Sequence, residues 1–445
     1  MSINRRDLLT GLGGFAATTA LAPFSRPDFA ARGVLPFATP PDAAAPAELP
    51  GPQATFPRKA DFTIEDGYTY INAAYTHPIP RVSVEAARRA AEARGTLRPT
   101  PPPSGRIGGS ASAPNPRALF AELINAKPSE IAYVSSTSAG ENLVVRALGL
   151  DHRFDGNVVT DGLHFEGAIM HLLELQKRGL DVRVVKPTKD SRVDLKDLER
   201  AMDRKTKLVE VSSAAMYNGF QHDLKAVAEL AHAHGAYVYA DIAHTAGAEP
   251  FDVKASGVDF ASCSSFKWLM GDFGLGFLYA RDEVLPKIQR PVVGYYQAPN
   301  LDANYPPHLP AGEYRPVDYS YGPPTAASMF EMGTLTGSTM TNLALLASSL
   351  AYVKALGVAN IQAHRLPMIR RLQQEVPRLG YTAVTPPNAT GGNVSFAKAG
   401  LGNGDLPKRF AAAKVNVRLG RDWMRLSPSV YNDMGDIDRF LEALA

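Results

Sequence analysis

An acidic residue and a lysine each stand just beyond an apolar, strand-like run of this sequence. Asp241 closes the run 236–241, and Lys267 follows the run 260–263 after three intervening residues. Parallel strands bring their carboxyl ends to one edge of a sheet, where open α/β folds bind ligands, so we expect both side chains in one site. An amine that forms a Schiff base and a carboxylate that keeps a ring nitrogen protonated suit pyridoxal phosphate. A strand-end cap and a surface amine would have the same spacing, so other residues must decide.

A hydroxyl-rich segment supplies a candidate phosphate site. Residues 135–140 follow the strand-like run 131–134 and open a helical run at Glu141, with Thr137 and Ser138 as the candidate ligands. Free backbone amides at a helix N-terminus meet the positive end of the helix dipole and bind anions. The same segment also fits a plain helix cap. Its combination with the aspartate and the lysine favours the phosphate site.

The elements that would hold these residues alternate between strands and helices. Strand-like runs recur with helical patterns between them from about residue 88 to residue 293, and residues 223–234 show helical spacing with Gly235 as a stop. Alternation of this kind predicts a mainly parallel sheet covered on both faces. The clearest runs are 131–134, 157–160, 182–185 and 207–211.

Several separated motifs between about Tyr70 and the C-terminus resemble the class V aminotransferase family. This family of fold-type I pyridoxal-phosphate enzymes includes cysteine desulfurases, selenocysteine lyases and isopenicillin N epimerases. The segment 235–244 is similar to the strand that carries the family's ring-nitrogen aspartate, and it places His244 near the cofactor's 3′-oxygen. The segment 267–279 resembles the Schiff-base segment, and Ser264 matches a phosphate ligand. The resemblance implies a large domain with a seven-stranded, mainly parallel sheet and a smaller α+β C-terminal domain.

The resemblance also implies roles on both faces of the cofactor. His164 would stack on its ring and assist proton transfer, with Phe165 as the competing candidate. Thr334, in the segment 330–334, would reach the phosphate of a neighbouring subunit. The chain is therefore expected to form a homodimer.

The substrate side is predicted in the same way. Arg425 matches the family's C-terminal arginine, whose guanidinium would hold the substrate carboxylate through two hydrogen bonds. Arg418 is a nearby second cation, for which a salt bridge within the small domain is the alternative. Asn72 matches the N-terminal substrate-side segment, where a strand-end turn is the alternative.

Two departures from the family pattern limit what can be carried over. Phe266 stands before the lysine where the family commonly has histidine, so one phosphate contact is expected to be missing. The only cysteine is Cys263, inside an apolar run, where a thiol usually behaves as a small buried hydrophobe. Desulfurases instead place a nucleophilic cysteine on a loop before the substrate arginine. We therefore expect no persulfide-forming desulfurase.

The N-terminus predicts export. Arg5 and Arg6 precede an apolar, small-residue stretch at 11–22, which is typical of a twin-arginine signal rather than of a spanning helix. A weakly basic amphipathic helix and a membrane anchor are the alternatives. Twin-arginine export moves folded proteins, so the cofactor would be loaded before export to the periplasm. No stable membrane insertion is expected after signal removal.

Length and composition suit a globular enzyme of two domains. The chain has 445 residues, 45% of them apolar, and a net charge of only +3 without a basic run, which argues against nucleic-acid binding. The predicted organisation is a signal peptide at 1–30, an Ala/Pro-rich linker at 31–58, a large cofactor-binding domain at 85–293, a Tyr/Pro-rich rim loop at 294–324, and a small domain from 59–84 and 325–445.

The predicted function is chemistry at the Cα of an amino acid or an amino-acid-containing metabolite, of the epimerase, lyase or transaminase type. The substrate would be a small molecule or a peptide, with periplasmic maturation of a peptide or siderophore as one role. A catalytically inactive binding protein is the first alternative, and Phe266 is its best support. A metal-dependent hydrolase is the second, although histidines two apart on a helix diverge by about 200°, so we expect no metal. Its residues would be His164, His232, His234 and Asp241.

Overall fold

The computed structural model describes residues 48–51, 54–96, 115–294, 297–298, 320–332 and 340–445. The chain from Pro46 to Ala445 forms one compact unit. The predicted signal peptide, most of the linker and most of the rim loop lie outside the described residues.

The described strands are short, and most of them are buried on both faces. In chain order they are β1 Thr69–Tyr70, β2 Ile131–Val134, β3 Asn157–Asp161, β4 Asp181–Val185, β5 Thr206–Ser212, β6 Tyr237–Asp241, β7 Phe260–Ser264, β8 Gly276–Ala280, β9 Thr382–Ala383, β10 Val394–Ala397, β11 Val415–Asn416, β12 Arg418–Leu419 and β13 Trp423–Leu426.

The helices flank these strands and connect them. In chain order they are α1 Arg81–Gly95, α2 Pro116–Leu123, α3 Thr137–Ala147, α4 Glu166–Lys177, α5 Leu195–Ala201, α6 Leu224–Ala233, α7 Val253–Ser256, α8 Ala326–Phe330, α9 Met340–Leu356, α10 Val358–Glu375, α11 Leu406–Ala412 and α12 Met434–Leu444.

The central sheet has seven strands in the order β2-β8-β7-β6-β5-β3-β4. The pairs from β7 through β4 are parallel, and only β8 runs antiparallel to its two neighbours. The predicted α/β class with a mainly parallel seven-stranded sheet is confirmed. Apolar runs without alternation are expected here, because helices cover both faces of such a sheet.

Close packing of helix α3 on the sheet depends on a glycine. A Cβ at Gly140 would collide with the Ser262 side chain on β7, so a larger residue would require the serine or the helix to shift. The N-terminus of α3 is thereby held next to the end of β7.

A smaller sheet in the order β12-β13-β10-β9 is antiparallel, and β1 pairs with β11 beside it. Helix α12 packs here and starts with a reciprocal cap between Asp433 and Asp436. The small sheet contacts the segment that follows β5 of the central sheet, since Ser395 Oγ donates to the Tyr217 carbonyl at 2.6 Å. Residues of the small sheet thus reach the carboxyl edge of the large sheet.

Within the described residues, no single helix is long and apolar enough to cross a membrane. One pair of helices, 341–356 and 358–379, is long and apolar enough when taken together, but the two helices meet at a bend of 72°.

Candidate active site

The carboxyl ends of the parallel strands converge on one edge of the central sheet. Ser212 lies opposite Asp241, and Asp241 lies opposite Ser262, in the registers of neighbouring strands. Lys267 follows β7 at the same edge. The structure therefore brings the predicted carboxylate and amine to one site.

The amine of Lys267 lies 3.0 Å from His244 Nε2 and 5.5 Å from the centre of the Phe165 ring. Burial lowers the pKa of Lys267 to about 8, with the nearby Arg425 charge adding to this shift and the Asp241 carboxylate opposing it. Burial, and then the positive charge of Lys267, also lower the pKa of His244 well below its usual value. At neutral pH the amine is thus far easier to deprotonate than an exposed lysine.

Asp241 is 4% exposed and ends strand β6. Its Oδ1 accepts a hydrogen bond of 2.8 Å from the Ala243 amide, and its carbonyl accepts one of 2.9 Å from the Ser213 amide. The carboxylate is therefore fixed in direction at the strand end, as a partner for a ring N–H would have to be.

Thr137 and Ser264 join the start of α3 to the end of β7. The Thr137 amide donates to Ser264 Oγ at 2.9 Å, the two hydroxyls lie 2.8 Å apart, and the Ser264 amide donates to Thr137 Oγ1 at 3.0 Å. Ser138 follows in the first turn and is partly exposed, while Ser136 caps the helix by accepting from the Ala139 amide. Hydroxyls and a helix N-terminus meet here, as predicted from the sequence.

His164 is held from both sides of its ring. Its Nε2 lies 2.9 Å from Glu141 Oε1, and its Nδ1 lies 2.9 Å from Ser212 Oγ. Burial alone would lower the pKa of His164, but the Glu141 carboxylate, supported by Asp241 and Glu210, raises it to about 9. Burial also raises the pKa of Glu141, although His164 opposes that shift.

The sequence predictions missed Glu141. It lies four residues after Thr137 on α3, so the two side chains share one face of the helix, and that spacing was the available signal. They also missed Ser212 at the end of β5 and Glu210 two residues before it, which has no exposed surface.

Glu141, His164 and Glu210 have the ligand types and spacing for a cation. Their ligand atoms all lie within 4.8 Å of one another. Neither Glu141 Oε2 nor either oxygen of Glu210 has a hydrogen-bond partner in the described part of the chain. This is a different set from the one predicted for a metal-dependent hydrolase.

The four residues predicted for a hydrolase are not all brought together, because His232 and His234 lie away from His164 and Asp241. His232 Nε2 lies 2.8 Å from Asp259 Oδ2, at the amino edge of the sheet, whereas Asp241 ends β6 at the carboxyl edge. His232 lies within helix α6 and His234 caps its end, so the two side chains point in different directions. The hydrolase alternative is therefore wrong on geometry.

Two arginines face each other on the small sheet. Arg418 of β12 lies opposite Arg425 of β13, and the Arg425 Nη1 donates to the Met216 carbonyl at 3.0 Å. Burial, and then the charge of Arg418, lower the pKa of Arg425 to about 10. The Arg418 guanidinium lies 5.5 Å from the centre of the Tyr75 ring. Among the described residues neither arginine has an ion-pair partner within 4 Å, so the predicted alternative of a salt bridge for Arg418 is not observed.

Asn72 lies beside this pair of strands and is buried. It forms a bridge with Ser427, and its Nδ2 donates to Asn416 Oδ1 at 3.1 Å. Its own Oδ1 has no hydrogen-bond partner among the described residues, so this oxygen remains available to a ligand donor.

The two departures from the family pattern have clear structural settings. Phe266 stacks on Phe273 with ring centres 4.3 Å apart, so it fills the place before the lysine with apolar surface. Cys263 is fully buried in β7, and burial raises the pKa of its thiol. Thr334 lies outside the described residues, so its predicted contact with a second subunit stays a prediction.

The donor set fits pyridoxal phosphate. Lys267 offers an amine for the aldehyde, Asp241 an acceptor for the ring N–H, and Thr137 with Ser264 hydroxyls and amides for the phosphate. His244 Nδ1 is buried and has no hydrogen-bond partner among the described residues. An oxygen on the cofactor's ring would supply that partner. All these groups lie at one edge, where the chemistry of the cofactor requires them.

Comparisons with known proteins agree with this arrangement. The sequence matches the family profile described as Aminotransferase class-V over residues 110–440. It is 30% identical over 306 residues to a probable cysteine desulfurase of Methanothermobacter thermautotrophicus, covering 68% of this chain and 72% of that protein. It is 28% identical to an uncharacterized aminotransferase of Schizosaccharomyces pombe, covering 74% of this chain and 80% of the relative.

A solved structure shows the same fold. A cysteine desulfurase of Thermococcus onnurineus NA1 superposes with a TM-score of 0.75 at 23% identity, covering 88% of this chain and 98% of that one. The predicted fold type I is thereby confirmed. From the family match, the relatives and the donor set together, the chain belongs to the aminotransferase class-V family and is a pyridoxal-phosphate-dependent enzyme.

Proposed function

We propose that the enzyme acts at the Cα of an amino acid or of an amino-acid moiety within a larger metabolite. The observation that carries this proposal is the position of the Lys267 amine, which lies close enough to the Asp241 carboxylate and the Arg425 guanidinium for both charges to affect its pKa. Pyridoxal phosphate, when bound, withdraws electrons from the Cα of an attached amino acid and makes its proton acidic. The residues around it then have to bind the substrate and move that proton.

Each residue has a separate task in this proposal. Arg425 binds the substrate carboxylate, because its planar guanidinium is buried and has no anionic partner among the described residues. Asp241 keeps the proton on the ring nitrogen. Lys267 Nζ takes the Cα proton, since burial lowers its pKa to about 8 and makes the neutral amine accessible near neutral pH.

The protein thiol takes no part in this proposed chemistry. Cys263 has no exposed surface, lies inside β7, and its Sγ is 3.4 Å from the Ser264 carbonyl. A thiolate nucleophile needs access to its target and a low pKa, and this thiol has neither. Although curated relatives are named probable cysteine desulfurases, we propose a reaction of the isopenicillin N epimerase, lyase or transaminase type instead.

The proposed location is the periplasm. Arg5 and Arg6 followed by the apolar stretch 11–22 support twin-arginine export of a folded protein already carrying its cofactor. Periplasmic maturation of a peptide or siderophore would suit such an enzyme. A homodimer with Thr334 completing the partner's phosphate site belongs to the same proposal. Replacing both arginines with lysine should leave the protein in the cytoplasm, as cell fractionation would show, and unchanged secretion would argue against this export route.

The first test concerns the link between cofactor and lysine. The purified protein should show a visible absorption band that borohydride abolishes, and peptide mass mapping should find the pyridoxyl mass on Lys267. Lys267→Ala is the control and should give no adduct at this position. A colourless protein that takes up no added cofactor would overturn the proposed mechanism.

A catalytically inactive binding protein is the second candidate. The apolar stack of Phe266 on Phe273 favours it, because a histidine contact expected in the family is absent at that position. Phe266→His should tighten cofactor binding in either case. Cofactor binding without exchange of Cα hydrogen, tested across amino acids and short peptides in deuterated water, would support the inactive protein.

A further inference from the structure

We propose that Glu141, His164 and Glu210 bind a divalent transition-metal ion beside the candidate cofactor site. Their ligand atoms all lie within 4.8 Å of one another, and all three side chains are fully buried. The proposal departs from the sequence-based expectation of no metal. It does not depend on the proposed function, because it assigns no step of that reaction to the ion.

The carboxylate of Glu210 differs from those of two other buried glutamates. Glu130 accepts a backbone amide on each of its carboxylate oxygens, at 2.8 and 3.1 Å. Glu249 accepts from the Gln221 side chain on both oxygens, at 2.9 and 2.8 Å. Neither oxygen of Glu210 has a hydrogen-bond partner in the described ranges, although the residue has no exposed surface. A buried carboxylate without a donor is strongly destabilising, so this one calls for a cation.

The polar atoms around Glu210 bring it no hydrogen-bond donor. His171 Nδ1 lies 2.5 Å from the Ala168 carbonyl, which only accepts, so Nδ1 carries a proton and Nε2 of the neutral ring presents a lone pair. That Nε2 has no hydrogen-bond partner among the described residues and lies 3.7 Å from Glu210 Oε2. A protonated His171 would still be beyond hydrogen-bond distance of the carboxylate.

Glu141 adds a further buried oxygen to this group. Its Oε2 has no hydrogen-bond partner in the described part of the chain. Lone pairs of Glu141, Glu210 and His171 therefore lie close together without donors between them. A bound cation satisfies such an arrangement, and His171, next to Glu210, is then available as a fourth ligand.

His164 fits a ligand role through its Nε2. As a metal ligand the ring must be neutral, and its Nδ1–H is able to donate to Ser212 Oγ, 2.9 Å away. Metal-bound histidines usually donate their other ring N–H to an oxygen in this way. Nε2 then offers its lone pair 2.9 Å from Glu141 Oε1. Two ligands of one zinc ion, each at about 2.1 Å, lie roughly 3 to 3.5 Å apart, so Glu210 needs to move by at most on the order of 1 Å.

The donor set selects the class of metal. Imidazole and carboxylate ligands together suit zinc and manganese, whereas magnesium and calcium prefer oxygen ligands alone. The ligands come from α3, from the turn before α4 and from β5. A bound ion would therefore tie the helix of the phosphate site to the sheet and fix the ring of His164.

The test measures metal binding by the purified protein with its cofactor, so it needs no substrate or turnover. After removal of metals by a chelator, the protein should take up one zinc ion per chain in elemental analysis, and excess magnesium should not displace it. Glu210→Gln, which keeps the shape but removes the charge, should weaken zinc binding by more than about 100-fold in competition with a chelating dye. Ser212→Ala should weaken it by about 10-fold, through the lost contact to His164.

Glu130→Gln provides the matched control. Glu130 is also buried, but backbone amides already satisfy both of its oxygens, so its substitution should leave zinc affinity unchanged. Anomalous diffraction at the zinc edge locates the ion in the unmodified protein and should place it between Glu141, His164 and Glu210. This measurement keeps the proposal testable even if every variant failed to fold.

Three results would overturn the proposal. They are a protein that binds neither zinc nor manganese at micromolar concentrations, an ion located elsewhere in the molecule, and unchanged zinc affinity in Glu210→Gln. Borohydride mapping reports separately on the link between the cofactor and Lys267. A missing adduct in a protein that still binds zinc at these residues would count against the proposed function alone.

Discussion

At the amino edge of the central sheet the charged side chains are paired with one another, whereas around the carboxyl edge several of them are not. Asp259, before β7, accepts from the Val238 amide at 2.8 Å and contacts both Arg281 and His232. At the carboxyl edge, Lys267 contacts only the neutral ring of His244 among the hydrogen-bond partners in the described ranges. Both edges bury charge, but at the carboxyl edge neither Lys267 nor Arg425 has a carboxylate within 4 Å among the described residues.

The difference teaches where the ligand belongs. A buried charge without a partner costs stability, so a fold retains one where a bound molecule supplies the missing contact. Lys267 and Arg425 meet this description, and an amino acid with its carboxylate matches both of them. Substitutions at the carboxyl edge should therefore change activity, and those at the amino edge should change the free energy of unfolding.

The largest effect is expected from Lys267→Ala. Removal of the amine eliminates both the covalent link and the base, so Cα hydrogen exchange should fall by about a thousandfold or more. Exchange would be followed by NMR in deuterated water with the amino acid that the unmodified enzyme turns over best. The exposed Lys225 gives the control, since Lys225→Ala should retain full activity. Exchange by the Lys267 variant at the normal rate would assign the base elsewhere.

The second effect tests the amino edge of the sheet, where the charged side chains are paired. Asp259→Asn should lower the free energy of unfolding by about 2 to 3 kcal/mol, because the amide presents one N–H₂ group where three donors now converge. Arg281 is partly exposed, which keeps the loss below that of a fully buried pair. Denaturant titration measures the change. Asp282→Asn, in the exposed pair with Lys127, should change stability by less than about 1 kcal/mol.

Activity of the folded Asp259 variant should remain near that of the unmodified protein. A large loss of turnover without loss of stability would mean that the two edges do not divide function and stability as their charges indicate.

The third effect separates the two arginines. Arg425→Gln should weaken apparent substrate binding by about 10- to 100-fold, because a guanidinium–carboxylate contact with two hydrogen bonds is lost. Arg418→Gln should weaken it less, since that side chain is only half-buried. The dependence of the exchange rate on substrate concentration gives both values. Arg421, exposed on the same part of the chain, is the control, and an equal effect of Arg421→Gln would point to a general charge effect.

Apolar runs and hydroxyl-rich turns were enough to predict the sheet and much of its carboxyl edge. Asp241 and Lys267 follow buried strands closely, so their position depends on local pattern and parallel pairing alone. The contact between Glu141 and His164 joins residues 23 apart on different elements, and the pattern of either element is unaffected by it. Only the packing of α3 against the sheet brings them together.

The register of the small sheet could not be predicted from the sequence either. β12 has two residues and β13 has four, too short for an alternating pattern to fix which residues face each other. The opposition of Arg418 and Arg425 follows from that register. The sequence therefore predicted both arginines as candidates near each other, but not that they lie directly opposite on paired strands.

The smallest effect is a gain of stability in the cofactor-free protein. Lys267→Met should raise the free energy of unfolding at pH 7 by about 1 to 2 kcal/mol, because it removes a charge that the site desolvates but does not fully bury. The pKa of Lys267 is lowered to about 8 in the folded protein, against 10.5 when unfolded. The unfolded chain therefore binds more protons between these values, so the stability of the unmodified protein rises with pH there.

The gain from Lys267→Met should accordingly be complete below pH 8 and disappear as the pH approaches 10.5. Denaturant titrations at pH 7, 9 and 10.5 would measure it, with Lys225→Met as the exposed control that should show no such trend. A gain that stays constant over this range would reflect the packing of the methionine rather than the charge. A gain in the free energy of unfolding that disappears with rising pH would show that the desolvated charge of Lys267 lowers stability. The same desolvation makes this amine reactive.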